Sequence, residues 1–237
     1  GRGNIASYLR SFRELAEIGK VKADAETGHK DGWGIVYYRD GILSYAGREA
    51  TSALDDEKYE QACKTIEKSK PSIVLAHLRK ASTGRKKIEN THPFAYKNWS
   101  FCHNGTIKKS KPGDFQEPLK NLKMEGDTDS ELFFKLVVER IENGEATQDA
   151  IKNLVRYVRS KYSKTTSLTF LFSDGKAIYA YREYNIDGNY YTMFYSKEKE
   201  YVLFSQEKRW KTNWEEILNR NLVVVDEDLQ IKTISLE

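Results

Sequence analysis

Four polar segments of the chain carry residue types that can bind a small charged molecule. They cover residues 28–35 (GHKDGWGI), 76–84 (AHLRKASTG), 101–107 (FCHNGTI) and 126–131 (GDTDSE). An arginine guanidinium suits a planar carboxylate, and an Asn-Gly pair offers amide N–H donors. Each feature alone also has an ordinary structural explanation, because Asn-Gly forms tight hairpin turns and Asp favours helix starts.

The order of the four segments is more specific than any one of them. In this order they resemble the glutaminase domain of class II glutamine amidotransferases. The sequences GHKDGWGI and HLRKAS are most similar to the short single-domain branch of that group. The resemblance implies an α+β fold, a four-layer αββα sandwich of the N-terminal-nucleophile hydrolase type. It also implies release of ammonia from glutamine by an N-terminal cysteine, whose free α-amine acts as the base, with no cofactor.

The resemblance assigns substrate-site roles to five residues. Asn104 and Gly105 correspond to the oxyanion hole, with one side-chain and one backbone N–H directed at the developing charge. Arg79 corresponds to the arginine that binds the glutamine α-carboxylate, and Ser82 to a small hydroxyl beside the substrate. Asp129 corresponds to the acid that binds the α-ammonium group, with a plain helix cap as the competing interpretation.

Five further residues are predicted to support the site. Asp31, Trp33 and Gly34 correspond to the family segment that packs beneath the nucleophile. His77 and His103 are interpreted as buried, hydrogen-bonded histidines and not as bases or ligands. The four histidines of the chain are scattered and show no metal-binding spacing, so no metal is predicted.

Neither cysteine of the chain is expected to act as the nucleophile. Cys102 has His103 as its neighbour, but adjacent residues of a strand point to opposite faces, so the two cannot meet. Core packing is the better interpretation of Cys102. Cys63 lies on a charged predicted helix without any motif around it, and the pair gives no disulfide framework.

The beginning of the sequence departs from the family pattern. The chain starts with Gly1-Arg2-Gly3, whereas family members carry the cysteine on a first strand just before a helix like the one predicted here. We therefore expect that a strand of about ten residues with the cysteine is missing from a single glutaminase-like domain over 1–237. A natural pseudoenzyme is the remaining interpretation. Weaker similarity extends to Ser205 and Trp210, where Gln206 replaces an acid that is common in the branch.

Composition excludes several classes of protein. The 237 residues are 39% apolar and 31% charged with a net charge of +4, and charges of both signs are interspersed, so no nucleic-acid partner is predicted. No apolar run approaches the roughly 20 residues that span a bilayer. We expect a cytoplasmic protein with a small-molecule substrate and no membrane partner. Any ammonia acceptor is expected on a separate subunit, and the oligomeric state is left open.

Periodicity and turn residues predict the elements that position these segments. Helices are predicted over 5–18 (capped by Asn4 and ended by Gly19), 55–69, 129–143 and 147–162. A hairpin is predicted over 35–46, followed by strands over 72–77, 99–103, 166–173, 176–183, 190–195, 201–205, 221–225 and 229–235.

Three functions fit this sequence. The first is a glutamine-hydrolysing amidotransferase subunit, and the second is an amidohydrolase of another γ-glutamyl amide or peptide. The third is a non-catalytic module that binds γ-glutamyl compounds or amino acids. Arg79 and Asp129 would recognise only the amino-acid end of the substrate, so they do not separate the first two.

Overall fold

Two layers of antiparallel strands form the centre of the molecule, and helices cover both outer faces. The computed structural model describes residues 5–22, 25–82, 84–108 and 115–237. The helices are α1 (Ile5–Arg13), α2 (Leu15–Ile18), α3 (Glu57–Ser69), α4 (Asp129–Glu142) and α5 (Thr147–Lys161), with a 3₁₀ turn at Ile88–Asn90. The strands are β1 (Trp33–Arg39), β2 (Ile42–Glu49), β3 (Ile73–Leu78), β4 (Phe94–Tyr96), β5 (Trp99–Asn104), β6 (Thr169–Ser173), β7 (Ile178–Arg182), β8 (Phe194–Lys197), β9 (Val202–Ser205), β10 (Glu215–Glu216), β11 (Asn221–Val225) and β12 (Ile231–Ser235).

The two strand layers differ in continuity. One layer is a six-stranded sheet in the order β12-β11-β7-β6-β5-β4. The other contains two three-stranded sheets, β2-β1-β3 and β10-β8-β9. Strands β3 and β9 stand at the ends of these sheets, so each has one edge that pairs with no other described strand.

Alternating side chains explain how the six-stranded sheet packs on both faces. On β6, Phe170 and Phe172 belong to the core that α4 and α5 cover, while Leu171 between them packs on the inner face. Phe101 stacks on Phe134 of α4 with ring centroids 5.8 Å apart. Period-two alternation of large apolar residues therefore fills both sides of this sheet.

The opposite face of the sandwich is covered by α1 and α3. Asp56 begins α3 by accepting the Lys58 backbone N–H at 3.0 Å, and it also accepts the indole N–H of the buried Trp33 at 2.9 Å. Tyr59 packs edge-on against Trp33 and donates its hydroxyl hydrogen to the Leu9 carbonyl at 2.8 Å. Trp33 of β1 thus contacts both the cap and the first turn of α3, and Tyr59 of α3 connects that helix to α1.

The four layers confirm the predicted α+β class and αββα sandwich. Most predicted elements are present with small shifts of their ends. The predicted helix over 5–18 is interrupted at Glu14, whose backbone N–H donates to Ser11 three residues earlier at 3.2 Å. The predicted cap Asn4 lies outside the described residues, and Gly19 follows the last helical residue.

Three short elements were not predicted from the sequence, namely β4, β10 and the 3₁₀ turn. Strand β8 begins at Phe194, later than the predicted 190–195, because residues before it form hydrogen bonds within a loop. Within the described ranges, none of the helices is both long and apolar enough to cross a membrane.

Candidate active site

A polar cleft of about 60 Å³ opens where β3 and β5 end and α4 begins. Its lining includes all five residues to which the sequence assigned substrate contacts: Arg79, Ser82, Asn104, Gly105 and Asp129. Sheet topology explains this convergence, because Arg79 directly follows β3, Asn104 ends β5 and Asp129 is the first residue of α4. Residues that are far apart in sequence therefore face one small volume.

Arg79 continues the pairing of β3 with the segment before β1. Its backbone N–H donates to the Gly32 carbonyl, and its carbonyl accepts the Asp31 N–H, each at 2.8 Å. The side chain is 4% exposed and donates to the Arg85 carbonyl at 3.3 Å. Burial lowers the pKa of Arg79, and the nearby carboxylates of Asp31 and Asp127 oppose that effect.

Asp31 anchors the beginning of the Arg79 loop, defined here as residues 79–82 and 84–90. Its carboxylate accepts the Ala81 backbone N–H at 2.8 Å and lies 2.5 Å from Lys86 Nζ. Burial raises the pKa of Asp31, but these two contacts outweigh burial, so the pKa is lowered. Asp31 thus supports the site by holding the backbone next to Arg79.

Asn90 and Asp127 anchor the other end of the Arg79 loop. Asn90 is fully buried, and its Nδ2 donates to Asp127 Oδ1 at 2.6 Å and to the Arg85 carbonyl at 3.0 Å. In return, the Asp127 backbone N–H donates to Asn90 Oδ1 at 3.0 Å. Lys87 Nζ lies 3.5 Å from Asp127 Oδ2. This reciprocal pair is a feature that the sequence did not predict.

Asp129 does not cap α4 through its side chain. The cap is Thr128, whose hydroxyl accepts the Glu131 N–H at 3.2 Å. Asp129 Oδ2 accepts the Ile107 N–H at 2.6 Å, and Oδ1 accepts the Ser130 N–H at 2.9 Å. The carboxylate therefore connects the helix start to the segment that follows Gly105, and it lines the cleft.

The Asn104-Gly105 pair is not a hairpin turn, which was its ordinary interpretation. Strand β5 pairs with β4 before it and with β6, which follows only after α4 and α5. Gly105 has φ of +156°, and a Cβ there would lie 2.0 Å from the Ser167 carbonyl oxygen. Only glycine fits such a close approach. Ser82 Oγ lies 3.3 Å from Thr106 Oγ1 and so joins the Arg79 loop to this turn.

His103 lies beneath the turn on the outer face of β5. Its Nε2 is 3.1 Å from the Ser167 carbonyl oxygen, and its Nδ1 is 2.9 Å from Ser130 Oγ. A carbonyl only accepts, so Nε2 carries the hydrogen and Nδ1 accepts from the Ser130 hydroxyl. Burial lowers the pKa of His103. The prediction of a buried, hydrogen-bonded histidine is confirmed here.

His77 differs from His103 because one of its ring nitrogens has no hydrogen-bond partner among the described residues. Burial lowers the pKa of His77 to about 3, and its ring packs on His92 with centroids 4.5 Å apart. Neither His77 Nδ1 nor either ring nitrogen of His92 has a hydrogen-bond partner in the described part of the chain. All four histidines, including His29, line the cleft. The described residues nevertheless contain no group of three or more His, Cys, Asp or Glu arranged to hold a metal.

Three of the five predicted supporting residues, Asp31, Trp33 and Gly34, are not among the residues that line the cleft. Trp33 belongs to the core beneath α3, and Gly34 packs against the His92 carbonyl, where an added Cβ would lie 2.4 Å from the oxygen. Sequence reasoning in turn missed Tyr190 and Gln206, which line the cleft from the loop before β8 and from the end of β9. Tyr190 lies in no recognisable motif, and Gln206 was noted only because it replaces an acid that is common in the branch.

Cys102 is buried between the two strand layers with Val36, Leu75 and Leu171. Burial raises the pKa of its thiol to about 12, so the reactive thiolate is scarce at neutral pH. The neighbouring His103 points to the opposite face, toward Ser130. Burial also raises the pKa of Cys63 to about 11.

The sequence of this chain is similar to known proteins over most of its length. The family described as glutamine amidotransferases class-II matches residues 5–201. The Escherichia coli K12 protein YafJ is 29% identical over 181 residues, which cover 71% of this chain and 67% of YafJ. The chain spans about half to two thirds of the length of three curated relatives.

Solved structures show the same fold at low sequence identity. A glutamine aminotransferase class-II domain protein from Silicibacter pomeroyi aligns with a TM-score of 0.58 at 19% identity, covering 87% of this chain and 92% of that one. The glutamine phosphoribosylpyrophosphate amidotransferase from Bacillus subtilis aligns with a TM-score of 0.66 at 13% identity, covering 100% of this chain and 47% of that one. With the family match extending over most of its residues, this chain belongs to the class II glutamine amidotransferases.

Proposed function

We propose that this protein is a glutaminase that hydrolyses the side-chain amide of glutamine to glutamate and ammonia. The observation that carries the proposal is that Arg79 and Asp129 line the same small cleft as Asn104 and Gly105. A cation for a carboxylate, an anion for an ammonium group and amide donors for a carbonyl oxygen together match an α-amino acid with a side-chain amide.

In this proposal the two charged residues orient the substrate. Arg79 binds the α-carboxylate, and Asp129 binds the α-ammonium group, so the side-chain carboxamide is directed toward the Asn104-Gly105 turn. Fixing both charged ends removes much of the orientational freedom that would otherwise oppose the reaction. The Asn104 side-chain N–H and the Gly105 backbone N–H then stabilise the negative charge on the carbonyl oxygen.

We further propose that the nucleophile is a cysteine at the start of an N-terminal strand that pairs with β3 and β9. Support comes from an apolar cavity of about 210 Å³ beside the unpaired edges of both strands. Its lining includes Val74, Ala76 and Leu78 from β3 and Val202 and Phe204 from β9. A strand in this cavity would join the two three-stranded sheets into one continuous sheet, as strand edges favour.

Two further observations support this position. The indole Nε1 of Trp210, which lines the cavity, is buried without an acceptor among the described residues, and a strand carbonyl would provide one. His77, Asn104 and Gln206 line both the cavity and the polar cleft. A strand entering the cavity can therefore present its first residue next to the oxyanion turn.

The proposed reaction has two steps. The cysteine thiol transfers its proton to its own α-amine and attacks the amide carbon, and the tetrahedral intermediate expels ammonia after the amine returns the proton. Water then attacks the resulting thioester, which releases glutamate and restores the thiol. The ammonia passes to solvent or to a separate acceptor subunit. The two buried free cysteines agree with a reducing compartment such as the cytoplasm.

A matched pair of chains tests this function. Each carries a strand-forming segment before Gly1, and the segments differ only in their first residue, cysteine in one and alanine in the other. We expect release of glutamate and ammonia from glutamine by the cysteine chain alone. Equal release by both chains would refute the proposed nucleophile, and no release by the cysteine chain with the segment seated in the cavity would refute the glutaminase.

The same pair separates the alternative functions. A γ-glutamyl dipeptide that is hydrolysed faster than glutamine would identify an amidohydrolase of another γ-glutamyl compound. Glutamate binding by both chains, measured by calorimetry, without turnover of either substrate would identify a binding module.

A further inference from the structure

The side chain of Asn104 is held by Gln206, the residue that follows β9. Asn104 Nδ2 donates to Gln206 Oε1 at 3.3 Å, and Gln206 Nε2 donates to the Thr192 carbonyl at 3.3 Å. A carbonyl oxygen can only accept, so the second bond fixes which end of the Gln206 amide is nitrogen. The Gln206 oxygen must then face Asn104.

The backbone of Gln206 is fixed as well. The Thr192 hydroxyl donates to the Gln206 carbonyl at 2.6 Å, so Thr192 contacts both the backbone and the side chain of this residue. Because Thr192 precedes β8 and Gln206 follows β9, the β8–β9 hairpin holds the two residues next to each other. The acceptor that Asn104 meets is therefore presented by a rigid element, which is what a precise site needs.

A parallel set of hydrogen bonds holds the other end of the turn. The Thr106 N–H donates to Thr166 Oγ1 at 3.0 Å, and the Thr166 N–H donates to the Thr106 carbonyl at 2.9 Å. The Tyr191 hydroxyl lies 3.0 Å from Thr166 Oγ1. The segment 191–192 thus reaches both ends of the Asn104-Gly105 turn through uncharged groups.

We propose that Gln206 is a positioning residue that orients the Asn104 amide for the oxyanion, an inference that rests on the proposed glutaminase function. A primary amide has two N–H groups. When one is held by Gln206 Oε1, rotation about the Asn104 side chain is restricted, and the second N–H has a fixed direction. An oxyanion donor is effective only when it is oriented before the charge develops.

Gln206 is neutral at a position where an acid is common in the branch that this sequence resembles, so the two residue types share the acceptor oxygen and differ in charge. A carboxylate at residue 206 would also accept the Asn104 N–H, but it would add a fixed negative charge one hydrogen bond away from the forming oxyanion. Like charges in a site of low dielectric repel strongly. Glutamine supplies the acceptor oxygen without that charge, and its own N–H groups are directed away toward Thr192.

The first experiment measures orientation without catalysis. In nuclear magnetic resonance spectra of the chain, the Asn104 side-chain amide proton that faces Gln206 should be displaced from its position in a free asparagine amide, and Gln206→Met should return it toward that position and increase the mobility of the group. Glu207→Gln is the control, because the Glu207 carboxylate accepts the Lys20 backbone N–H and makes no hydrogen bond to Asn104. Asn104 signals that are unchanged by Gln206→Met would overturn the proposal.

The second experiment measures the kinetic consequence in the chain with the N-terminal cysteine strand. Gln206→Met should lower kcat by about tenfold with KM within about twofold, and Gln206→Glu, which keeps an acceptor oxygen, should recover part of that loss. In an Asn104→Ala background, Gln206→Met should have no further effect, since Gln206 acts through Asn104.

The outcomes separate this inference from the proposed function. An active parent whose kcat is insensitive to Gln206→Met, or an equal loss with and without Asn104, overturns the role of Gln206 alone. An inactive parent overturns the glutaminase and with it the catalytic role of Gln206, while the resonance experiment still decides whether Gln206 orients the amide.

Discussion

The two sides of the cleft are held in chemically different ways. The charged side consists of the Arg79 loop, which is fixed at one end by Asp31 with Lys86 and at the other by Asn90 with Asp127 and Lys87. The neutral side consists of the turn 104–106, which is fixed by amides, hydroxyls and the uncharged ring of His103. Asp129 follows Asp127 of the charged side by two residues and accepts the Ile107 N–H just after the turn, so it lies next to both sides.

The difference follows from what each side has to recognise. The charged side meets permanent charges of an amino acid, and ion pairs around it cost little because Lys86 is exposed and Lys87 partly exposed to water. The neutral side meets a negative charge that exists only during the reaction. Fixed charges there would act on the ground state, whereas oriented dipoles act when the charge appears.

The largest expected effect is a loss of kcat on substitution of Asn104, on the neutral side of the cleft. In the chain with the N-terminal cysteine strand, Asn104→Ala should lower kcat for glutamine by about 10²–10³-fold and leave KM nearly unchanged, because the oxyanion exists only in the transition state. Steady-state kinetics give both parameters. A KM increase with kcat intact would mean that Asn104 binds the ground state, and the distinction between the two sides would fail.

The next effect is on the charged side. Arg79→Lys keeps the charge but removes the planar fork, so glutamate binding should weaken by about 1–3 kcal/mol. Calorimetry measures the loss, and Arg85→Lys, an exposed change in the same loop, is the control. An equal loss in both variants would show that the loop is sensitive to any change and that Arg79 has no special role.

Acid should charge His103 on the neutral side, together with the nearby His77 and His92, and thereby destabilise the fold. His77, His92 and His103 have pKa values lowered mainly by burial, below the value of about 6.5 in an unfolded chain. The unfolded state then binds more protons, so stability is present above pH 6.5 and is lost as the pH falls below it.

For one buried histidine the loss between pH 7.5 and pH 5 is about 2 kcal/mol. Denaturant unfolding at both pH values measures this loss of unfolding free energy. His92→Asn should reduce the loss by about the amount that one buried histidine contributes. Carboxylates with lowered pKa values, such as Asp31, contribute only at lower pH, because their unfolded pKa is near 4. A stability that is unchanged down to pH 5 would contradict the prediction.

The smallest effect concerns the anchor at the end of the Arg79 loop. Asn90→Asp replaces a donor by an acceptor facing Asp127, and the repulsion should raise KM by about threefold through a displaced loop. The double variant Asn90→Asp with Asp127→Asn restores one donor and one acceptor and should return KM to within about twofold of the parent. Failure of the exchange to restore KM would show that the pair is not what fixes the loop.

The sequence predicts this molecule best where a strong local pattern coincides with an element end. Helix α4 is found within one residue of its predicted range because its apolar period is preceded by a polar, glycine-containing segment. The residues that end β3 and β5 could be assigned because their segments resemble a known family in order. Strands β4 and β10 have three and two residues, too few for any periodicity.

The rest of the site depends on tertiary contacts that a sequence pattern does not show. Gln206 reaches Asn104 because β9 ends beside β5 in space, and Asn90 reaches Asp127 across 37 positions. The indole N–H of Trp33 bonds to the cap of α3, a contact that the sequence did not indicate, while its place beneath the nucleophile stays a prediction. Such pairings require knowledge of which strands are neighbours.

One consequence of the histidine distribution concerns chemical footprinting. Every imidazole of this chain belongs to the wall of one cleft, so a reagent that acylates imidazoles modifies nothing else of that type. Because their neutral form persists below the usual pH, His77 and His92 stay nucleophilic in mild acid. His92 is buried, so its modification rate measures how often the cleft opens. Mass spectrometry of the acylated chain at four positions would thus record how often the cleft opens, without any engineered probe.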